Sequence, residues 1–242
     1  SLHTYSNLIR LSKDIVFPFQ ESSLDPSIKV VVITGAGKSF SSGGELSQLY
    51  PMVDLSPVEI KERIYSVFQG MVRAVDNCPK PVIAAVNGAA VGAGFDLCLN
   101  CDIRIASRDA SFSEYFVRLG TIPGMGGMYH LPRLVGLAKA YELALTGDFI
   151  TAEEAERIGL INKVVPSPEL EAEVSKLARR LADGPTKAIE MIKLGIKKGL
   201  SMDFSGALEL AALLQSAAFK TEDVREGIKA AMEKRQPRFQ GR

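Results

Sequence analysis

The chain has 242 residues, of which 46% are hydrophobic and 24% are charged. This composition excludes a disordered chain, a collagen-like fibre and a disulfide-stapled miniprotein, and the length fits one large domain with a sizeable core. Lysine and arginine total 29 against 28 acidic residues, so the formal net charge is +1. Because nucleic-acid binders normally carry a strong basic excess, we expect no nucleic-acid partner.

The sequence shows no sign of a membrane span or a metal site. No stretch approaches about 18 uninterrupted apolar residues. The first four residues, Ser1–Thr4, lack the basic and apolar segments of a signal peptide. Three cysteines and two histidines are too few and too scattered for a zinc site. We therefore expect a cytoplasmic protein without a metal.

Apolar runs alternate with glycine and proline along the first two thirds of the chain, which is typical of strand–loop–helix units. They predict three buried strands, at Ile28–Thr34, Pro81–Val86 and Cys101–Ala106. Helical periodicity predicts five helices among and after them. These are Thr4–Phe17, Pro57–Asp76, Ala138–Leu145, Ala152–Ile158 and Glu169–Ala182.

From Thr186 onward almost the whole chain has helical periodicity. The predicted fold class is therefore α/β, followed by a nearly all-helical region. We place the boundary between residues 1–185 and residues 186–242.

Two other kinds of chemistry are weakly indicated. Cys98 and Cys101 form a C-x-x-C pair, but they lie inside a predicted helix rather than at its N-terminus, so packing explains them better than redox chemistry. A Ser–His–Asp triad would have to use His130 and Asp96. His130 lies in an apolar setting that is more typical of a structural histidine.

Two glycine-rich turns remain, at Phe40–Leu46 and Asn87–Asp96, each directly after a predicted strand. Two bare backbone turns at strand ends can direct two N–H groups at one point and so stabilise an oxyanion. The second turn also opens a helix, whose N-terminal partial charge favours an anion. The shape of the motifs alone leaves ordinary tight turns equally possible.

In this order, the turns resemble the crotonase (enoyl-CoA hydratase/isomerase) superfamily. The resemblance extends over most of the chain from Ile28 to Phe239. It includes the segments VVVITGAGKSFSSGGEL, CPKPVIAAVNGAAVGAGFDLCLNCDIRIAS, LGTIPGMGGMYHLPRLVG, AYELALTGDFITAEEAERIGLINKVV and EDVREGIKAAMEKRQPRF.

The resemblance implies a core spiral of ββα units and a C-terminal helical trimerisation region, assembled as a homotrimer or a hexamer made of two trimers. By the same comparison, the first strand and turn of the fold precede residue 1. The implied substrate is an acyl-CoA thioester of fatty acid metabolism or aromatic degradation. Coenzyme A is then part of the substrate, and no separate cofactor is expected.

The resemblance also assigns roles to individual residues. The oxyanion-hole donors would be the backbone N–H groups of Gly44 and Ala93. The positions implied to contact the substrate or coenzyme A are Gly44, Glu45, Leu46, Ser47, Phe116, Phe219 and Lys234.

The catalytic carboxylates decide the expected reaction. Hydratases of this superfamily use two glutamates, which correspond here to Asp96 and Phe116. The base of one group of isomerases corresponds to Gly124, which carries no acid. With Asp96 as the only carboxylate at a recognised catalytic position, we predict double-bond isomerisation. The arrangement is similar to that of isomerases in phenylacetyl-CoA ring opening.

Three alternatives accompany this prediction. If Phe112–Phe116 were extended, Glu114 would share a face with Phe116 and could act as the second acid of a 2-enoyl-CoA hydratase. We expect Glu114 instead to be a surface glutamate or to pair with an arginine. Asp96 could also be a solvated or capping acid. Lastly, the chain could be a non-catalytic thioester-binding or RNA-binding homologue, with a basic patch at Lys193, Lys197 and Lys198.

Overall fold

The structure is a computed structural model that describes Phe19 and residues 21–242. The predicted helix Thr4–Phe17 lies outside the described residues. The described chain forms two compact units. The first is built mainly from Val32–Cys78 and Val82–Val174, and the second from Asp25–Val31, Pro79–Pro81 and Ser175–Arg242. The boundary between residues 185 and 186 stays a prediction.

Within the described residues, eight strands form two four-stranded sheets, whose orders are β1-β3-β5-β8 and β2-β4-β6-β7. The first six strands alternate between the sheets, whereas β7 pairs with β6 in the same sheet. All the pairings given for them are parallel except β6 with β7. The strands are β1 Val31–Thr34, β2 Ser39–Ser41, β3 Val82–Val86, β4 Ala89–Val91, β5 Ile103–Ser107, β6 Ser111–Ser113, β7 Ile150–Thr151 and β8 Lys163–Val165.

From residue 46 onward, ten α-helices connect and follow the strands, with short 3₁₀ and π segments between some of them. The helices are α1 Leu46–Leu49, α2 Pro57–Arg63, α3 Gln69–Asn77, α4 Ala93–Leu99, α5 Gly127–Thr146, α6 Ala152–Arg157, α7 Leu170–Ala182, α8 Thr186–Gly199, α9 Phe204–Ala218 and α10 Glu222–Met232. This mixed α/β fold with parallel sheets and C-terminal helices confirms the predicted fold class.

The core of the first unit is centred on β3. All five residues of β3 are buried. β5 is its parallel neighbour, and Ala85 of β3 pairs with Ile105 of β5. A strand buried on both faces is apolar throughout, which explains why this segment is readable as a strand from the sequence. β5 differs from β3 because it contains a buried charged residue, Arg104. Its guanidinium Nε donates to the Leu160 carbonyl at 2.8 Å.

The helix predicted at Pro57–Asp76 is interrupted. Ser56 caps α2 in a capping box with Glu59, but a π-helical segment, Ile64–Phe68, separates α2 from α3. The helix predicted at Ala138–Leu145 corresponds to the part of α5 that follows a break at Gly136, whose φ is 77°, and the part that begins at Gly127 precedes this break. The π-helical segment lies inside a region of continuous helical periodicity, where apolar spacing carries no signal for a local change of pitch.

Candidate active site

The structure brings the two glycine-rich turns together. β2 and β4 are parallel neighbours, and Ser41 pairs with Ala90, so the turns that follow them leave the same edge of the sheet. A Cβ built at Gly43 would lie 2.8 Å from the Val91 carbonyl oxygen and 3.6 Å from the Ala93 nitrogen. Gly43 also has a φ of 86°, so both space and backbone conformation require glycine here.

Gly44 and Ala93, the predicted oxyanion donors, belong to these adjacent turns. Within the described part of the chain, neither backbone N–H donates a hydrogen bond to a protein acceptor. Gly92 has a φ of 52° and a ψ of −119°, and its N–H donates to the Ser113 carbonyl at 2.9 Å. This bond fixes the turn that opens α4 against the end of β6.

Asp96 lies in the first turn of α4 and is fully buried, with 0% of its surface exposed. The alternative of a solvated acid is therefore wrong. One carboxylate oxygen, Oδ2, accepts the Met125 N–H at 2.9 Å, and the Gly127 N–H also bonds this carboxyl group. Burial raises the pKa of Asp96 above its ordinary value despite these two bonds, because desolvation disfavours the charged form.

Glu114 lies beside Asp96 and is also fully buried. The expected surface glutamate is therefore wrong, and so is the extended segment Phe112–Phe116, because β6 ends at Ser113 and a 3₁₀ helix begins at Tyr115. Phe112 is fully buried. Glu114 lies two residues after Phe112 and is buried as well. This spacing of two residues, typical of one face of a strand, is the sequence signal that could have located Glu114 in the interior.

The two carboxyl groups form a pair that shares a proton. Asp96 Oδ1 and both oxygens of Glu114 are buried, and none of them accepts a hydrogen bond from a donor among the described residues. Burial, followed by the neighbouring Asp96 charge, raises the pKa of Glu114 well above its usual range. The two groups therefore titrate as a pair, and their closeness favours a state that holds one proton between them.

Gly127, the first residue of α5, closes one side of this carboxyl pair. A Cβ built there would lie 2.2 Å from Asp96 Oδ1 and 2.4 Å from Glu114 Oε1. Such distances are far below van der Waals contact, so any side chain at this position would displace a carboxyl group. The absence of a side chain at Gly127 is what allows both acids to meet here.

We expect Glu114→Gln to change the pH dependence of stability. The native state holds a proton on Glu114 above its ordinary pKa of 4.5, where the unfolded state has lost it. The free energy of unfolding therefore falls as pH rises from about 4.5 toward the raised pKa, by at most about 1.4 kcal/mol per pH unit. Glutamine cannot ionise, so the variant should lose less stability over this range.

Urea unfolding at a series of pH values between 5 and 9 measures this difference. Asp109→Asn is a suitable control, because Asp109 is exposed and bonds Ser167 away from the pair. A variant whose stability falls with pH as steeply as the wild type would show that Glu114 is not held protonated.

The residues predicted near the coenzyme A side of the first unit lie at the start of α1. Glu45 precedes this helix, and its Oε1 accepts the Ser47 hydroxyl at 2.7 Å, while Leu46 is 60% exposed. Phe116 is half-buried, and two of its ring atoms lie 3.8 and 3.9 Å from a Cβ built at Gly92. The ring thus lies next to the turn that carries the Ala93 N–H.

Phe219 and Lys234, the other two positions assigned to substrate contact, belong to the second unit. Phe219 is 61% exposed at the end of α9. Lys234 has a φ of 55°, which is uncommon for a residue other than glycine. Their predicted contact with the substrate stays a prediction.

Cys98 and Cys101 are free and buried, as packing cysteines should be, and burial raises the pKa of the Cys98 thiol to about 12. His130 Nε2 lies 3.2 Å from Asn100 Oδ1. Across the described ranges, no group of three or more metal-ligating side chains occurs. None of the helices described is long and apolar enough to cross a membrane.

Sequence reasoning missed the groups that hold Asp96 in place. They are the backbone amides of Met125 and Gly127, together with Asn100, whose Nδ2 donates to the carbonyls of Asp96 and Met125 at 2.7 and 3.0 Å. The sequence does not show which backbone amides bind a given side chain. Asn100 lies four residues after Asp96, and nothing in the sequence indicates its contact with the loop that contains Met125.

Comparison with known proteins gives a consistent result. The profile of the Enoyl-CoA hydratase/isomerase family matches residues 8–242. The chain is 39% identical over 234 residues to a crotonyl-CoA hydratase of Syntrophomonas wolfei, covering 95% of this chain and 88% of that protein. It is 38% identical over 218 residues to the 1,2-epoxyphenylacetyl-CoA isomerase of Escherichia coli, covering 90% and 83%.

Solved structures agree with the sequence matches. The structure of an enoyl-CoA hydratase from Bacillus anthracis superposes with a TM-score of 0.89 at 33% identity, covering 96% of this chain and 89% of that one. These matches run through both glycine-rich turns and the segments that carry Asp96 and Glu114. The chain is therefore an enzyme that belongs to the enoyl-CoA hydratase/isomerase family of the crotonase superfamily.

Proposed function

We propose that this protein moves a double bond along the acyl chain of an enoyl-CoA thioester, with Asp96 as the base. The observation that carries the proposal is the direct pairing of Asp96 with Glu114. The two carboxyl groups contact each other, and Gly127 closes the space beside them. A hydratase needs a water molecule between its two acids, and two acids that pair directly do not hold one between them.

The reaction needs one base, one proton and two oxyanion donors. The Asp96 carboxylate takes a proton from C2 of a 3-enoyl thioester, and the electron pair moves into the thioester carbonyl to form a dienolate. The backbone N–H groups of Gly44 and Ala93 bond the resulting oxyanion. Return of the proton to C4 then leaves the double bond between C2 and C3.

Glu114 serves as the partner acid in this scheme. As a neutral carboxylic acid, it donates a hydrogen bond to the Asp96 carboxylate and holds that group in one orientation. When Asp96 gains the substrate proton, the pair carries two protons, and either oxygen can return one. Burial raises the pKa of Asp96, which makes it a stronger base near neutral pH.

Phe116 supports isomerisation by its position. Its ring lies beside Gly92, at the turn that carries the Ala93 N–H. A phenyl ring neither binds nor activates water, so it keeps the region next to the oxyanion dry. Water added across the conjugated product would otherwise compete with isomerisation.

The remaining assignments belong to the same proposal. Coenzyme A is carried by the substrate and contacts Glu45, Leu46, Ser47, Phe219 and Lys234, so no separate cofactor is needed. The protein acts in the cytoplasm, in fatty acid or aromatic acid breakdown, as a homotrimer or a hexamer. Large exposed apolar side chains on the C-terminal helices support an assembly of this kind, namely Ile192, Ile196, Phe204, Leu208 and Leu213.

A hydratase is the second candidate, because Glu114 does supply a second acid next to Asp96. The crotonyl-CoA hydratase among its relatives points the same way. In that case Glu114 would protonate C2 while Asp96 activates water, and the pair would have to separate to admit that water.

One assay distinguishes the two reactions. The protein is incubated with 3-hexenoyl-CoA and with crotonyl-CoA, and absorbance of the conjugated thioester is followed. We expect it to rise with 3-hexenoyl-CoA and to stay nearly constant with crotonyl-CoA. Glu114→Gln should retain isomerisation to within about tenfold, because glutamine still donates a hydrogen bond to Asp96. Rapid loss of crotonyl-CoA absorbance that this substitution abolishes would establish the hydratase instead.

A further inference from the structure

A chain of hydrogen bonds leads from α3 to the proposed base. Arg73 Nη1 donates to Gln69 Oε1 at 3.3 Å, and Gln69 Nε2 donates to the Gly124 carbonyl oxygen at 3.0 Å. The next backbone N–H, that of Met125, donates to Asp96 Oδ2 at 2.9 Å. All of these residues belong to the first unit.

The Gly124 carbonyl and the Met125 N–H are two ends of a single peptide group. Because that group is planar and trans, its carbonyl and its N–H point in opposite directions, and fixing one end fixes the other. Gln69 holds the carbonyl end. It therefore sets the direction in which the N–H meets Asp96, although Gln69 does not itself contact the carboxylate.

The following peptide group is held as well. Asn100 Nδ2 donates to the Met125 carbonyl at 3.0 Å, and it lies 2.9 Å from a Cβ built at Gly126. Gly126 has a φ of 111°, a backbone conformation that glycine adopts readily. Because glycine also adopts other conformations readily, contacts such as this one are needed to hold the segment in place. Two carboxamides from two helices thus bind consecutive carbonyls of the segment that supplies the amides on Asp96.

We propose that Gln69 is a positioning residue for Asp96, acting through the Gly124–Met125 peptide group and polarised by Arg73. The positive end of this chain is a guanidinium and its other end is a carboxylate. Each bond in such a chain strengthens the next, so the Met125 N–H is a better donor than an isolated amide. The inference rests on the proposed function only in naming Asp96 as the base.

The charged groups around this network are few. Glu114 contacts Asp96 from the end of β6, and Arg73 lies at the far end of the chain on α3. His130, in the first turns of α5, lies 3.2 Å from Asn100 on the opposite side. Since hydrogen bonds to Asp96 favour its charged form, loss of the Gln69 contact should raise its pKa and leave the charges of these neighbours in place.

The test compares Gln69→Leu, Gln69→Met and Arg73→Met with the wild type. We expect the acidic side of the pH profile of kcat/KM, its acid limb, to shift to higher pH, by about half to one pH unit in the two Gln69 variants and by less in Arg73→Met. On that limb kcat/KM should fall about three- to tenfold, while the plateau at high pH changes little. Gln69→Met serves if Gln69→Leu does not fold.

The matched control is Asn162→Ala. The Asn162 carboxamide also binds a backbone group, since its Oδ1 accepts the Arg104 N–H at 2.8 Å, but Asn162 belongs neither to the glycine-rich turns nor to the contacts of Asp96. It should lower thermal stability without moving the acid limb.

A second readout needs no activity. Carboxyl ¹³C NMR of the free protein, with the Asp96 signal assigned by its absence in Asp96→Asn, follows the titration of that group directly. An unchanged Asp96 titration in both Gln69 variants would overturn the inference, whatever reaction the enzyme performs. Lack of activity on 3-hexenoyl-CoA with a shifted Asp96 titration would instead overturn the proposed function and leave the role of Gln69 intact.

Discussion

Asp96→Asn is expected to lower kcat for double-bond isomerisation about 10³-fold, within the range that a positioned general base contributes. Asparagine keeps the shape of the side chain, and its amide oxygen can still accept the Met125 N–H. It cannot take a proton from C2. Because Asp96 is fully buried, no solvent molecule can replace it as the base. Binding of the substrate should change much less than kcat.

The matched control is Asp102→Asn. Asp102 follows α4 closely in the chain, and its Oδ2 accepts the Val82 N–H at 2.7 Å, a bond that an asparagine oxygen can also accept. This variant should retain kcat within a few fold. Steady-state kinetics with 3-hexenoyl-CoA measures both. If Asp96→Asn kept full activity, Asp96 would not be the base.

Gly127→Ala is expected to have an effect of similar size for a different reason. The added methyl group would meet Asp96 Oδ1 at 2.2 Å and Glu114 Oε1 at 2.4 Å, so the carboxyl pair must separate or α5 must move. Forcing an extra methyl group into a filled core costs about 1–3 kcal/mol of stability. Displacement of the base by even 1 Å should lower kcat about 10²-fold.

Gly199→Ala is the control for the glycine substitution itself. An added methyl group there would meet the Ala207 Cβ at 3.8 Å, an ordinary van der Waals contact between α8 and α9. We expect it to fold and act like the wild type. Thermal unfolding combined with kcat separates the two effects at position 127. A Gly127→Ala protein with normal kcat would mean that the paired geometry of the two acids is not used in catalysis.

The elements that sequence reasoning located best are those in which one physical signal dominates. β3 is apolar along its whole length because both of its faces are buried. The turns at Gly43 and Gly92 are marked by glycines that the backbone requires, with φ values of 86° and 52°. These two features locate the turns and the helix that carries Asp96, whereas the roles of Gly44 and Ala93 as oxyanion donors and of Asp96 as the base come from the family resemblance and stay predictions.

Glu114 was harder to place because its position depends on where a strand ends. The strand stops at Ser113, and the backbone of Glu114 (φ −79°, ψ 60°) turns directly into a 3₁₀ helix. A glutamate near a strand end is usually solvated. Asp96, which is remote in sequence, is buried beside it. Glu114 can be buried because each acid gives the other a hydrogen-bond partner.

The contacts of Gln69 were not predictable for a related reason. Gln69 follows a π-helical segment, and the change of pitch there rotates the helix that carries it. Apolar spacing indicates which face of a helix is buried, but a single π turn alters that face by an amount the spacing does not record. The residues that act directly were therefore easier to find than those that hold them.

Because the two acids are enclosed, they also determine where an isotope label at C2 of the substrate goes during the reaction. A hydrogen removed from C2 enters a site with no exposed carboxyl oxygen, so it has no path to exchange with the bulk solvent before it is returned. When the C2 hydrogen that the base removes is deuterium, part of it should then be found at C4 of the product, even in ordinary water, because the only other hydrogen the pair can return is the proton it already holds. The two acids would thus act as a closed pool of two hydrogens rather than as a buffer in contact with the solvent.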